Sequence, residues 1–398
     1  MSCCGPMGAL QSMNAVADSR NGSAMRWLRV ALVGFALLWV ILTIYAWSWN
    51  FQVPNFTDYL SYWAAGKLTL GGDPAAAYDV AKHRAIEFTV LKFYGLLPFP
   101  YPPPFLIVVT PFSLLSYEWG FAAWVLATLA IYVFGTRRVA DLPFTVGHPS
   151  VLMNGLIGQN GLLTCPIFVT GAFLLRQRPF LAGAVLGLLV IKPQLALLLP
   201  VAVIAARLWP AIAGAALSAG AFLLLALVLF GFGAFEGFIN ILPLYTELMR
   251  QDKWPWNEFI SVFAFLRWFG VDQSIALSVH AIVAAVAIAV TWVAWSRDWE
   301  EQLPILAAAT LLVPPYLLTY DSLLMIVPIG FWVSQRPRPY LAGLLWLFCF
   351  LPISFYFHIY RGPNTVCLAA ILTLLILAAG RRNLPAVRAP NMDHAHAV

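Results

Sequence analysis

Two ionisable side chains have unusual surroundings: Asp58 and Lys192 each lie beside long apolar stretches. A carboxylate such as Asp58 can accept the proton of a hydroxyl group that attacks as a nucleophile. The same group suits the first turn of a helix, where the helix dipole favours negative charge. The residues alone therefore leave two roles open for Asp58, catalytic base and helix cap.

Lys192 follows the apolar run Leu188–Ile191 and precedes Pro193 and Gln194. A charge at such a position needs an anionic partner or water. At the outer end of short helices, Lys192 and Gln194 are suited to bind the phosphate of a lipid. The alternative is that the lysine extends to the membrane interface without binding a ligand.

Side-chain amides mark a third candidate region, where Gln159 and Asn160 stand between Gly158 and Gly161, two glycines that are expected to break the helix. Amides at membrane depth need hydrogen-bond partners, so we expect this pair, with His148 earlier in the segment, to line a polar cavity. Amides that both donate and accept suit sugar hydroxyl groups. Hydrogen bonding between helices is the alternative.

Three tyrosines and a second carboxylate complete the candidates: Tyr62, Tyr101, Tyr320 and Asp321. Tyr101 precedes three prolines, which indicates either a rigid helix start or a hydroxyl presented to a substrate. Asp321 has three open roles: an ion pair with Lys192 or Arg361, a contact with a sugar hydroxyl, or a share in the proton transfer of Asp58.

The elements that must position these residues are membrane helices. Of the 398 residues, 61% are hydrophobic and 10% are charged, whereas soluble domains are about 25% charged. The mean hydropathy of +0.81 also excludes an ordinary soluble enzyme. The composition predicts an all-α polytopic protein of about twelve transmembrane helices, among them spans at 102–117 and 150–175. Several are short, so broken or re-entrant helices are expected.

The apolar and charged segments divide the chain into one domain with two tails. We predict a disordered cytoplasmic tail over residues 1–26, a transmembrane domain over 27–380 and a cytoplasmic tail over 381–398. Outer loops are expected at 50–100 and 233–273. Placing both termini in the cytoplasm puts most arginines, such as Arg176, on the inner side of a cell membrane. The short outer connections then hold only Arg137, Arg138, Lys192 and Arg361.

The first outer loop carries aromatic residues near helical spacing, among them Tyr59, Tyr62 and Trp63. This pattern predicts a short amphipathic helix in the membrane interface, with Asp58 on its first turn. The following Gly71-Gly72-Asp73-Pro74 indicates a turn. No basic run is interleaved with aromatics, so nucleic acid is not an expected partner.

Taken in order, these motifs resemble glycosyltransferase family 87, a group of C-type (GT-C) membrane glycosyltransferases that includes mannosyltransferases. The resemblance extends over residues 27–380. It is carried by Asp58-Tyr59-Leu-Ser-Tyr62-Trp63-Ala-Ala-Gly66, Gly72-Asp73-Pro74 with Tyr78, Tyr101-Pro-Pro-Pro-Phe105, Gly158-Gln159-Asn160, Lys192-Pro193-Gln194, and Pro315-Tyr316 with Tyr320-Asp321.

The resemblance implies a GT-C-like bundle and a polyprenyl-phosphate sugar donor, commonly a mannose donor. It also implies a lipid or glycan acceptor, transfer on the extracytoplasmic face and Asp58 as the catalytic base. One difference is that some members carry histidines where this chain has Tyr316, Tyr320 and Asp321. The acceptor and any second proton-handling residue are therefore left open.

The chemistry of such a donor agrees with these residues. A lipid phosphate is a stable leaving group, so the reaction needs a base, a cation and a dry cavity rather than a general acid. Asp58, Lys192 and the apolar bundle would supply them, and a single displacement would invert the anomeric centre. The outer loops contain no Asp-x-Asp pair, so we expect no metal or other cofactor. His394 and His396 are expected to be solvated.

Two other functions use similar features. A lipid-linked sugar flippase or small-solute transporter would explain many helices and an internal charge, but would usually show two matched halves. A polysaccharide polymerase or ligase would share the lipid-linked donor, and the predicted loop at 233–273 is compatible with it.

Overall fold

The computed structural model describes residues 6–50, 58–91, 97–251, 255–354 and 359–380, and most of these residues are helical. These residues form no β-strand, and their one isolated bridge joins Phe259 to Leu318. The predicted all-α class is confirmed.

The α-helices follow one another with short connections. The first half contains α1 (Pro6–Asn50), α2 (Tyr59–Leu70), α3 (Val80–Val90), α4 (Pro104–Val109), α5 (Tyr117–Thr136), α6 (Leu142–Val146), α7 (Pro149–Ile157), α8 (Gly161–Leu174), α9 (Pro179–Gly187) and α10 (Leu199–Ala205). The second half contains α11 (Trp209–Arg250), α12 (Val262–Trp268), α13 (Gln273–Ser296), α14 (Gln302–Thr310), α15 (Ile326–Gly330), α16 (Pro339–Ser354) and α17 (Val366–Gly380). Short 3₁₀ turns connect several of them, including Thr110–Leu114, Leu188–Ile191, Pro193–Ala196 and Thr319–Met325.

Four helical segments of the described chain are long and apolar enough to cross a membrane: Asn21–Leu42 within α1, then α5, α11 and α13. Shorter apolar helices accompany them, such as α8, α16 and α17. Leu224, Val228 and Phe232 of α11 are exposed apolar side chains, as expected of a surface that faces lipid. The protein is thus a membrane protein, and the number of crossings remains a prediction.

Two of the predicted spans have a different structure. The segment predicted as one span at 150–175 is two helices, α7 and α8, which meet at Gly158. The segment at 102–117 consists of the six-residue helix α4 and a 3₁₀ turn. Eleven residues extend only about 16 Å as a helix, too short to cross.

The helix α2 differs from the predicted interfacial helix. Its first eight residues, Tyr59 to Gly66, are all buried. Small side chains permit this burial, because a Cβ atom on Gly66 would overlap Ser113 of the turn beside α4. The prediction of an amphipathic helix with one face in the interface is wrong, since α2 packs on several sides.

The predicted outer loop at 233–273 is largely helical. Gly231 has φ 73° and ψ 175°, and helix α11 continues beyond this break to Arg250. Helix α1 likewise includes most of the predicted tail at 1–26. The division into domains stays a prediction, and the tail at 381–398 lies outside the described residues.

The helices place different charges at the two ends of the bundle. Helix α5 begins beside α2, where the rings of Tyr117 and Tyr59 have centroids 5.9 Å apart. Its 20 residues extend about 30 Å. Arg137 and Arg138 therefore lie at the far end, near Val139, which shares a cavity with Arg176. The prediction that placed these two arginines on the side opposite Arg176 is wrong.

Candidate active site

A cavity of about 410 Å³ opens at the end of the bundle where α2 packs. Its apolar wall includes Leu97, Met153 and Ile157. Its polar lining consists of Asp58, Ser61, Tyr62, Tyr101, Gln159, Tyr245, Glu258, Thr319 and Tyr320. A concave apolar site with a few convergent polar groups is the usual form of a ligand pocket.

Asp58 precedes the first turn of α2, and its side chain makes no capping hydrogen bond. Its Oδ2 atom instead accepts a hydrogen bond from Nε2 of Gln159, at 2.6 Å. By contrast, Asp73 and Asp79 accept backbone N–H groups at the helix starts that they precede. Asp58 thus makes no capping hydrogen bond, and its carboxylate faces the cavity.

The Gln159 amide is fixed from its oxygen end. Its Oε1 atom accepts hydrogen bonds from the hydroxyl of Tyr62 at 2.6 Å, from that of Tyr101 at 3.4 Å and from the backbone N–H of Asn160 at 3.3 Å. Because three donors converge on the oxygen, the amide nitrogen must point towards Asp58. The carboxylate is thus held in one orientation.

A glycine turn brings Gln159 to this place. Gly158 ends α7 with φ 70° and ψ 30°, a left-handed conformation that glycine adopts at little cost. Its carbonyl accepts the indole N–H of Trp124 at 2.8 Å. A Cβ atom there would lie 2.6 Å from Cβ of Tyr59 and 2.7 Å from the ring of Phe121. The turn therefore packs directly against α2 and α5.

Aromatic packing positions the two tyrosines. The Tyr62 ring contacts Phe105 and Trp124 edge-on, with centroids 5.1 and 5.7 Å away. The Tyr101 ring lies 4.6 Å from that of Phe105. The Tyr78 hydroxyl donates to the Tyr101 carbonyl at 2.9 Å. These contacts hold the hydroxyls of Tyr62 and Tyr101 2.9 Å apart.

Lys192 forms an ion pair behind the cavity wall. Its Nζ atom lies 2.5 Å from Oδ1 of Asp321, and each side chain is 1% exposed. The same nitrogen donates to Oδ1 of Asn160 at 3.0 Å and lies 4.3 Å from the ring centroid of Tyr320. Of the roles left open for Asp321, the structure shows the pair with Lys192.

The protein-family comparison can now be set beside this geometry. The model of glycosyltransferase family 87 matches residues 99–320, more than half of the chain. The chain belongs to glycosyltransferase family 87. Comparison with curated proteins and with solved structures gives no match. Asp58 precedes the matched segment, so the family match does not include it. Its position at the cavity is known from the structure.

Asp58, the candidate base of this glycosyltransferase, lies outside the four candidate membrane spans. Burial raises the pKa of the Asp58 carboxyl above its usual value of 3.8, and the hydrogen bond from Gln159 lowers it. Burial has the larger effect. A carboxylate with a raised pKa is a stronger proton acceptor once it is ionised, which suits a general base.

The structure brings together five of the ten residues predicted for the site of this glycosyltransferase. Asp58, Tyr62, Tyr101, Gln159 and Tyr320 line the cavity. Three others, Asn160, Lys192 and Asp321, form the buried cluster next to it.

The remaining two predicted residues lie away from the cavity. His148 precedes α7, and its Nδ1 atom accepts the backbone N–H of Ser150 at 3.2 Å. Gln194 is half-buried in a 3₁₀ turn. Neither side chain is part of the cavity lining.

Sequence reasoning missed four polar residues of the cavity: Ser61, Tyr245, Glu258 and Thr319. Ser61 follows Asp58 by three residues, so helical spacing was a usable signal. Glu258 lies among aromatics in the predicted second loop, but only long-range folding brings it here. Its segment is held by the Thr319 hydroxyl, which donates to the Glu258 carbonyl at 2.9 Å.

No group of three or more His, Cys, Asp or Glu side chains that could bind a metal ion occurs among the residues that the structure describes. His394 and His396 lie outside that part of the chain. The expectation of a reaction without metal remains a prediction.

Proposed function

We propose that this glycosyltransferase transfers a sugar, in the first instance mannose, from a polyprenyl-phosphate donor to a hydroxyl group of a lipid or glycan acceptor. Transfer takes place at the extracytoplasmic face of the cell membrane. The observation that carries the proposal is the Asp58 carboxylate, held at 2.6 Å by Gln159 on the wall of a cavity of about 410 Å³. Family membership supports the reaction class.

In the proposed reaction, Asp58 accepts the proton of the acceptor hydroxyl as its oxygen attacks the anomeric carbon. A bond forms between that oxygen and the carbon, while the bond between the carbon and the donor phosphate breaks. The electron pair leaves with the phosphate, which is already a stable anion and needs no proton. One displacement inverts the anomeric centre.

The remaining cavity groups would bind the sugar. Hydroxyls of Tyr101, Tyr320 and Thr319 both donate and accept hydrogen bonds, and they line the cavity with Glu258. Tyrosine rings also present apolar faces that can cover a sugar ring. The ammonium of Lys192 faces Asp321, so a direct contact with the phosphate has no support from this arrangement.

The decisive experiment compares the wild-type protein with Asp58→Asn in a purified transfer assay. Detergent-solubilised protein is given radiolabelled polyprenyl-phosphate mannose and a membrane lipid extract as acceptor. We expect the asparagine variant to lose about 10²–10⁴-fold in kcat, the usual contribution of a general base. Asp73→Asn is the matched control, because Asp73 lies outside the cavity lining. It pairs with Lys82, and both side chains are about half-exposed.

Two results would contradict the proposal. Equal transfer by the Asp58→Asn variant at equal protein level would show that Asp58 is not the base. A labelled lipid that crosses a vesicle bilayer without any sugar transfer would favour the transporter.

A further inference from the structure

The ion pair of Lys192 and Asp321 joins parts of the chain that are 129 residues apart. Both side chains are almost fully buried, and neither lines the cavity. A buried pair gains little stability over apolar side chains of similar volume, because both charges lose their hydration. Stabilisation alone therefore accounts poorly for these two charges.

We infer that the Lys192–Asp321 pair is a positioning device that fixes the turn of residues 158–161 and thereby holds Gln159 against Asp58. The inference rests on the proposed function of Asp58 as base. It assigns Lys192 a role through Asn160, without contact to the donor phosphate.

The first step of the argument is the contact between Lys192 and Asn160. The ammonium donates to Oδ1 of Asn160 at 3.0 Å, while Asp321 holds the ammonium from another side at 2.5 Å. Asn160 is fully buried, and its Nδ2 atom has no hydrogen-bond partner among the described residues. Its side-chain orientation therefore depends on the lysine.

The second step leads from Asn160 to Gln159. The Asn160 backbone N–H donates to Oε1 of Gln159 at 3.3 Å, and the Asn160 carbonyl accepts the N–H groups of Leu163 and Thr164 at 3.0 and 2.9 Å. Residue 160 thus connects the start of α8 to the amide that orients Asp58.

The third step concerns the segment that carries Asp321. The Tyr320 carbonyl accepts Nδ2 of Asn154 at 3.1 Å. A Cβ atom on Gly161 would lie 2.8 Å from the same carbonyl. The chain at 320–321 and the turn at 158–161 are thus in direct contact, and the ion pair cross-links them to Lys192.

A direct role in phosphate binding agrees less well with these contacts. The phosphate would have to replace Asp321 as the partner of the ammonium, and would leave a buried carboxylate without its cation. Such an unpaired buried charge is strongly destabilising.

The test uses two variants that disturb the device in different ways. Lys192→Met with Asp321→Leu removes both charges together, so neither is left buried alone. Asn160→Leu keeps the ion pair and removes only its link to the turn. Initial rates across pH give kcat, the donor KM and the acid limb of kcat/KM for purified protein with polyprenyl-phosphate mannose.

Both variants are expected to lower kcat by about tenfold and to move the acid limb to higher pH, because a misplaced Gln159 no longer favours the Asp58 carboxylate. The donor KM is expected to stay within about twofold, since no phosphate contact is lost. The control is Arg29→Met with Asp141→Asn, which removes an ion pair of 2.8 Å at the other end of the bundle and should not move the limb.

An unmoved acid limb with a donor KM raised tenfold or more would overturn the inference and assign Lys192 to the phosphate. An unmoved limb with wild-type kcat in Asn160→Leu would overturn it as well. That single variant decides the question if the double variant does not purify as a monodisperse protein. Failure of the proposed function is seen separately, as full activity of Asp58→Asn.

Discussion

Gln159 is the residue that orients Asp58, the proposed base. Its amide has two chemically different ends, and three donors occupy the oxygen end while Asp58 accepts from the other. The hydrogen bond favours the charged form of Asp58, whereas burial disfavours it. Gln159 therefore orients the carboxylate and lowers the pH at which it ionises, against the larger effect of burial.

Replacing Gln159 with leucine should shift the pH dependence of transfer. In the proposed mechanism Asp58 acts only when ionised, so activity falls as the pH decreases through its pKa. Since the hydrogen bond lowers that pKa, its loss raises the pKa and the acid limb of kcat/KM moves to higher pH. The measurement is a pH–rate profile of the Gln159→Leu variant beside wild type.

The comparison variant for this prediction is Gln194→Leu. It makes the same chemical change at a half-buried glutamine outside the cavity, and its profile should coincide with that of wild type. Coincident profiles for Gln159→Leu and wild type would show that the amide does not act on the base.

At the scale of elements, the turn between α7 and α8 was partly predictable. The sequence indicates that glycines around Gln159 and Asn160 interrupt a helix, and the structure confirms an interruption at Gly158. The burial of α2 was not predictable, because the pattern of Tyr59, Tyr62 and Trp63 fits an interface as well as a core. Packing against Ser113 and the start of α5 decides it, and these contacts are long-range.

Gly158→Ala should destabilise the protein more than Gly72→Ala. Both glycines have positive φ, 70° and 85°, so alanine costs about 1–2 kcal/mol at each from backbone strain. A Cβ atom at residue 72 meets nothing within 4 Å, whereas at residue 158 it overlaps Tyr59 and Phe121. Such overpacking typically adds about 1–3 kcal/mol.

Thermal unfolding of the two alanine variants in the same detergent measures the difference. The Gly158→Ala variant should have the lower midpoint and should also lose transfer activity, because Gln159 is displaced. Equal midpoints would mean that the turn can move away from α2 without cost.

At the scale of the whole molecule, the composition predicted a membrane protein of α-helices. The arrangement of the site was decided by contacts between residues that are distant in the sequence. Apolar content indicated membrane helices, which the structure contains as α5, α11 and α13. The partner of Asp321 was one of two options, because Lys192 and Arg361 are equally plausible in a linear chain. The structure also places Arg137 at the same end of the bundle as Arg176, whereas the predicted order of spans placed Arg137 on the outer side. The segment at 102–117, predicted as a span, is too short to cross, and this error reversed the expected side of Arg137.

The arrangement of the two ends predicts which residues are accessible from outside the cell. Lys82 is an exposed residue of α3, a helix that packs near the cavity end of the bundle. Glu300 is exposed at the opposite end, which contains Arg176 and Arg336. If the cavity faces the extracytoplasmic side, Lys82→Cys reacts with a membrane-impermeant maleimide on intact cells. Glu300→Cys then reacts only after the membrane is permeabilised.

The background for this labelling is low once Cys3 and Cys4 are replaced with serine, because Cys165, Cys349 and Cys367 are buried. Each cysteine variant also serves as the control for the other, since both must be labelled in permeabilised cells to show that the thiols are reactive. A reversed pattern on intact cells would place the cavity in the cytoplasm, where a lipid-linked sugar on the outer leaflet could not reach Asp58. The proposed donor would then be wrong, although membership of the glycosyltransferase family would stand.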